Sequence, residues 1–229
     1  MAQYDKTKHG SLKFNFDASR KIDKNYSQAY QDMFVLTMLN GKRKGTYLEI
    51  GAYDPTSISN TYLLEKNYRW RGVSIDIEEH LVKDFKRKRR NQFVLSDALA
   101  LDYEALLIKN RFDKQIDYLS IDIEPKTQTL ECLKKLPLDK YRFSVITYET
   151  DYYDDSEGRE AAERVRKESR QVLTSHGYLM IVGNIANLGP NDVFEDWYVD
   201  PQVIDPKIIE IFKFAGDFND AAEKYMLAE

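Results

Sequence analysis

Six short apolar runs, at residues 47–50, 72–77, 92–96, 118–123, 143–148 and 178–182, punctuate the chain. Longer amphipathic stretches near 79–90, 102–109, 127–135 and 156–175 lie between them. The runs have the length of buried strands and the stretches have the period of helices. Such alternation predicts an α/β fold: a mostly parallel sheet with helices on both faces, whose right-handed crossovers force a doubly wound order. One more helical face, carrying Tyr30, Phe34, Val35, Met38 and Leu39, precedes the first strand. Asn25 or Ser27 can cap it and Asn40 with Gly41 can end it. Ser156 can cap the last long helix, and Gly177 follows its end. Residues 1–25 are polar without a period and read as an N-terminal extension, with residues 26–229 as one domain.

Composition removes several function classes. With 34 basic and 38 acidic residues the net charge is -4, which argues against a protein that coats DNA or a membrane surface. A single cysteine, Cys132, excludes a disulfide framework and a cysteine-built zinc site. No two of the three histidines, His9, His80 and His176, stand at metal-ligand spacing. No apolar run approaches the ~20 residues needed to cross a bilayer, and the polar N-terminus predicts no secretory signal. The expectation is a cytoplasmic protein without a membrane partner.

In a doubly wound sheet, ligands bind outside the carboxyl ends of the strands, where the strand order reverses. Every predicted strand ends there in an acid or an amide. Glu49-Ile50-Gly51 closes the first and Asp76 the second, with Glu78 and Glu79 beyond it. Asp97 follows the third, Asp122 and Glu124 close the fourth, Glu149 and Asp151 the fifth, and Asn184 the sixth. Acids also cap the helices that follow strands, but six strands out of six outweigh that reading. The rim lacks a phosphate cradle, since Gly51 stands alone without the G-x-G-x-x-G pattern and no P-loop lysine motif is present. Asp76, in contrast, suits ribose hydroxyls. A nucleoside with a cationic sulfonium and an amino-acid tail fits that combination, which describes S-adenosylmethionine. The missing glycines disfavour a nicotinamide oxidoreductase on the same architecture.

At this level of detail the chain resembles the FkbM family of class I methyltransferases, over residues 26–201. The resemblance is carried by SQAYQD (27–32), GTYLEIGAYDP (45–55), SNTYLLE (59–65), WRGVSID (70–76), DYLSIDIE (117–124), FSVITYE (143–149) and EDW (195–197). It implies a Rossmann-like methyltransferase fold ending in a reversed strand near 197–199. Glu49 and Gly51, with Ala52, would hold the methionine part of the cofactor. Asp76 would accept from the ribose hydroxyls, and Asp97, beside Ala98, would meet the adenine amino group. Asp122 and Glu124 would face the transferred methyl and the acceptor. Relatives commonly carry a histidine directly after the glutamate of the fifth strand, where this chain has Thr150. Any base role there passes to Glu149, Asp151 or another group.

The expected reaction is O-methylation of a hydroxyl on a sugar or another small polyol-like acceptor, a glycan included. A hydroxyl needs help to lose its proton. Glu149 is the preferred base, with Asp122 and Glu124 as its catalytic companions. A divalent ion held by oxygen ligands, Mg²⁺ or Ca²⁺, is the competing device and ranks below the base. The competing class is a non-catalytic module that keeps the fold and binds nucleic acid or a partner; it would rest on the basic run 86–90. That run reads better as a solvated last helical turn, in which Arg87 and Arg89 are dispensable. Cys132 reads as a small buried hydrophobe, His176 as a helix-end residue, and Asn184 as a rim or turn residue. Tyr53, Tyr148, Tyr152 and Tyr153 are the aromatic candidates for lining a polar site.

Overall fold

A computed structural model describes residues 12–186, 192–213 and 221–228; the first eleven residues of the expected extension, with His9, lie outside them. Seven strands form one sheet: β1 (Thr46–Ile50), β2 (Arg71–Asp76), β3 (Gln92–Leu95), β4 (Gln115–Ile121), β5 (Arg142–Glu149), β6 (Leu179–Ala186) and β7 (Val193–Val199). Their order is β3-β2-β1-β4-β5-β7-β6. Strands β1 to β5 pair in parallel, and β7 runs antiparallel to both its neighbours. The order reverses between β1 and β4, so the crevice for a ligand opens over their carboxyl ends.

Eight α-helices complete the described residues: α1 (Gln31–Met38), α2 (Tyr62–Tyr68), α3 (Leu81–Lys88), α4 (Tyr103–Lys109), α5 (Lys126–Lys135), α6 (Arg159–Ser175), α7 (Pro206–Lys213) and α8 (Ala222–Met226). Strand alternation divides the core in two. Leu48 and Ile50 of β1 join Leu107, Leu133 and Leu173 from α4, α5 and α6. Tyr47 joins Phe34 of α1, Leu64 of α2, Trp197 of β7 and Phe212 of α7. Phe34 stacks on Trp197 with ring centroids 4.4 Å apart. Leu12, Phe16 and Ile22 from the N-terminal stretch are buried in this second cluster, and Leu12 bridges to Leu227 after α8.

Several boundaries differ from expectation for local reasons. Helix α2 is not marked by periodicity, because its buried residues set the adjacent pair Leu63 and Leu64 beside the acid Glu65. Strand β6 continues to Ala186 through register shifts around Asn184, whose φ of 58° breaks the alternation. Ser156 does not cap α6; its amide and hydroxyl both bond to the Asp154 carboxylate, and Gly158 precedes the helix. The start of α1 is organised indirectly. Asn25 Nδ2 (3.3 Å) and Ser27 Oγ (2.7 Å) donate to the buried carboxylate of Asp32, which also takes the Tyr26 amide at 2.8 Å. Gly41 and Gly177 close α1 and α6 as expected, with φ of 67° and 82°.

Candidate active site

The turn after β1 accepts only glycine. Gly51 has φ of 81°, and a Cβ there would lie 1.5 Å from the Asp122 carbonyl oxygen. That contact brings the ends of β1 and β4 together, and the Asp122 amide donates to the Ile50 carbonyl at 2.9 Å. The Gly51 and Ala52 amides both donate to the Ile75 carbonyl, at 3.0 and 3.1 Å, which ties in β2. Asp76 then closes β2: its Oδ2 accepts the Tyr53 amide at 2.8 Å and its Oδ1 accepts the Glu78 amide at 3.0 Å. Each of these oxygens can accept more than one bond, so Asp76 keeps capacity for a ligand. Asp97 is committed locally through Oδ1, which accepts the Leu99 amide at 2.8 Å and caps a short turn, Ala98–Ala100.

Exposed apolar groups surround these acids. Tyr53, Ile77 and Leu95 are 61%, 65% and 45% exposed at the ends of β1, β2 and β3. Sequence patterning does not mark Ile77 and Leu95, because an apolar residue ending a strand reads as core. Their position directly beside Asp76 and ahead of Asp97 was the available signal.

Glu49 is buried, and its Oε2 accepts from Ser74 Oγ at 2.6 Å and Thr61 Oγ1 at 2.9 Å. Burial pushes its carboxyl up, opposed by the nearby charge of Arg89. Arg89 departs from expectation. The run 86–90 is not uniformly solvated: Lys86, Arg87, Lys88 and Arg90 are exposed, but Arg89 follows the end of α3 and turns inward to a buried ion pair with Glu65 at 2.7 Å.

The remaining carboxylates crowd behind the β4 and β5 ends. Asp122, Glu149 and Asp151 lie close enough to influence one another's ionisation, since neighbouring like charges disfavour the charged form. Burial, followed by the Asp122 charge, pushes Glu149 well above the usual carboxylate range. Burial also raises Asp122, and it brings Asp151 to about 6. Glu195, opposite Glu149 in the β5–β7 register, is pushed up to about 8 by burial. It accepts from Gln31 Nε2 at 3.2 Å and from Trp197 Nε1, which ties the SQAYQD and EDW segments together. Glu124 is exposed. It lines a cleft of about 600 Å³ with Lys126, Asp151, Tyr153, Asp154 and Ser156. Among the described residues no group of three or more His, Cys, Asp and Glu side chains is arranged to hold a metal ion. The Mg²⁺ or Ca²⁺ expectation therefore finds no ligand set among the described residues.

Other candidates fall away from the crevice. Tyr148 is fully buried in the core, and Tyr152 is clamped between Arg159 and Arg166, 3.7 and 3.3 Å from its ring centroid. Tyr153, 49% exposed, does line the cleft. Asn184 is held inside β6: its Oδ1 accepts from Arg170 at 2.6 Å and its amide donates to Asp196 at 2.8 Å. His176 ends α6 against the Val172 carbonyl at 2.8 Å. Cys132 is a buried thiol beside the Tyr103 hydroxyl at 3.0 Å, and burial pushes it to about 11.

A mostly parallel seven-stranded sheet with a reversed strand next to its edge, reversing order over a glycine turn, is the Rossmann-like fold of class I methyltransferases. Among solved structures the chain is similar to a candidate rRNA methylase from Clostridium thermocellum, with 14% identity and a TM-score of 0.52 over 74% of this chain and 92% of that one. It is also similar to the plantazolicin methyltransferase BpumL in complex with SAH, at 14% identity and a TM-score of 0.48 over 76% and 82% of the two chains. A third is the N-methyltransferase NodS from Bradyrhizobium japonicum with S-adenosyl-L-homocysteine, at 14% identity and a TM-score of 0.43 over 75% and 85%. No family model and no curated protein matches the sequence. No helix among the described residues is long and apolar enough to cross a membrane.

Proposed function

We propose that the protein is an S-adenosylmethionine-dependent methyltransferase of the FkbM type that methylates a hydroxyl on a sugar or similar polyol. The observation that carries this reading is the glycine-only turn at Gly51, pressed on Asp122 and followed by Asp76 with acceptor capacity to spare. A backbone without a side chain at that point admits close approach of a ligand. The missing phosphate cradle and the exposed Ile77 and Leu95 suit an unphosphorylated nucleoside with a flat base between apolar walls. Glu49, Gly51 and Ala52 would hold the methionine part, Asp76 the ribose, and Asp97 with Ala98 the adenine. When bound, the cofactor supplies an electrophilic methyl on a sulfonium.

The chain's own groups then manage the acceptor proton. Asp122 and Glu124 face the reacting end of the crevice. Burial and the neighbouring Asp122 charge raise Glu149 well above the usual carboxylate range. Asp151, at about 6, is ionised at neutral pH and lines the cleft, so it is a group matched to accept the acceptor's proton. Asp151 thus stands beside Glu149 as a candidate for the base role. Methyl transfer from labelled SAM to a panel of glycans, small polyols and RNA tests this reading. Label on a hydroxylated small acceptor is expected; label on RNA alone, or none with any acceptor, contradicts it. The inward turn of Arg89 leaves the nucleic-acid reading with a weaker basic surface, because Arg87 and Lys88 also pair with Asp84.

A further inference from the structure

Arg89 reaches the β1 end from outside the sheet. Its side chain is 1% exposed, and a guanidinium offers five N–H donors in a fixed plane. Nε donates to Glu65 Oε2 at 2.7 Å. Nη1 donates to the Pro55 carbonyl at 3.1 Å and to Ser59 Oγ at 3.3 Å. Nη2 donates to Tyr47 Oη at 2.9 Å and to Thr61 Oγ1 at 2.7 Å. One side chain therefore joins strand β1, helix α2 and three points along residues 55–61.

The Thr61 contact has a directional consequence. Its hydroxyl accepts from Arg89 and donates to Glu49 Oε2 at 2.9 Å. A hydroxyl has one proton, so a permanently charged donor on one side commits that proton to Glu49 on the other. Ser74 Oγ adds a second donor to the same oxygen, and the Glu49 carboxylate is fixed in one orientation.

We propose that Arg89 is a positioning residue for the amino-acid end of the cofactor, acting through Thr61 on Glu49 and pinning residues 55–61 through Pro55 and Ser59. This rests on the reading that the chain binds SAM or its demethylated product with Glu49 at the methionine part. Lysine cannot replace the group, because a point ammonium lacks the planar fork that spans five acceptors.

Calorimetry with the full chain, using SAH and adenosine as the two ligands, tests the proposal. Adenosine lacks the amino-acid tail and meets only the Asp76 side. Arg89→Lys should weaken SAH about tenfold or more, and Thr61→Val by roughly three- to tenfold, while adenosine changes less than about twofold. Thr61→Val keeps the side-chain shape and decides the matter alone if Arg89→Lys does not fold. Unchanged SAH affinity in the folded variants overturns the proposal, as do equal losses for both ligands, which mark general damage to the loop. Failure of the unmodified protein to bind SAH overturns the cofactor reading itself, and the proposal with it.

Discussion

Arg87 and Arg89 stand two residues apart in one run of cations, with different partners. Arg87 pairs with Asp84 one turn back at 2.9 Å, with its side chain 71% exposed. An exposed pair of this kind contributes little, so Arg87→Glu should shift stability by less than about 0.5 kcal/mol. Arg89→Glu would set a third carboxylate beside Glu65 and Glu49 and leave buried charge unpaired, at a cost of roughly 3–5 kcal/mol. Urea midpoints for the two variants check this; equal midpoints would contradict the buried network. The run itself carries no phase information, since five adjacent cations look alike on any face. Helix α3 ends at Lys88, and the extended backbone at Arg89 is what redirects that one side chain. Asp76 and Gly51 were legible because strand ends and positive φ leave marks in residue type. The fates of Asn184 and Tyr148 depend on β6 register and on core partners, which leave no such marks.

At the scale of elements, the apolar runs located all six predicted strands, and the reversed β7 followed from the family resemblance. Periodicity found the long helices because each buries one face: α6 presents Ala162, Val165, Ser169 and Leu173. It missed α2, whose buried residues set the adjacent pair Leu63 and Leu64 beside the acid Glu65. The C-terminal helices were also out of reach. Their burial arises from contacts distant in sequence, such as Phe212 against Phe14 and Phe34 at 5.2 and 5.3 Å. The crevice is positioned by elements that were legible. The support beneath it, Gln31 on Glu195 and Arg89 on Thr61, belongs to tertiary packing.

For the whole molecule, the raised carboxylates predict an unusual pH profile. Asp151 and Glu195 are raised to about 6 and about 8, and burial and the Asp122 charge also raise Glu149 well above the usual carboxylate range. The folded state therefore binds more protons than the unfolded chain between the ordinary carboxylate range and those values. By linkage, stability is greater at the acidic end and falls as pH rises through each raised value. Asp154, lowered to about 2 by Lys126, contributes the other way, and its share is lost only below the ordinary range. For Asp151 the move from 3.8 to about 6 corresponds to roughly 3 kcal/mol spread between those two values, so above about pH 5.5 the change comes mainly from Glu195. Unfolding free energy should thus increase on going from about pH 8.5 to about pH 5.5. Denaturant titrations at the two pH values check it, and a flat or inverted profile would contradict the buried acid set. Turnover should move oppositely, rising through about pH 6 as Asp151 loses its proton.

The functional reading depends on the crevice over β1 and β2 being a cofactor site with Asp76 at its ribose end. Titration calorimetry of SAH into the unmodified protein and into Asp76→Ala tests that most directly. Removing a charged acceptor from a hydroxyl pair costs of order 1.5–3 kcal/mol, so SAH should bind the unmodified protein and bind Asp76→Ala roughly 10- to 100-fold more weakly. Unchanged affinity in Asp76→Ala would contradict the ribose assignment, and tight binding of NAD with none of SAH would contradict the methyltransferase reading altogether.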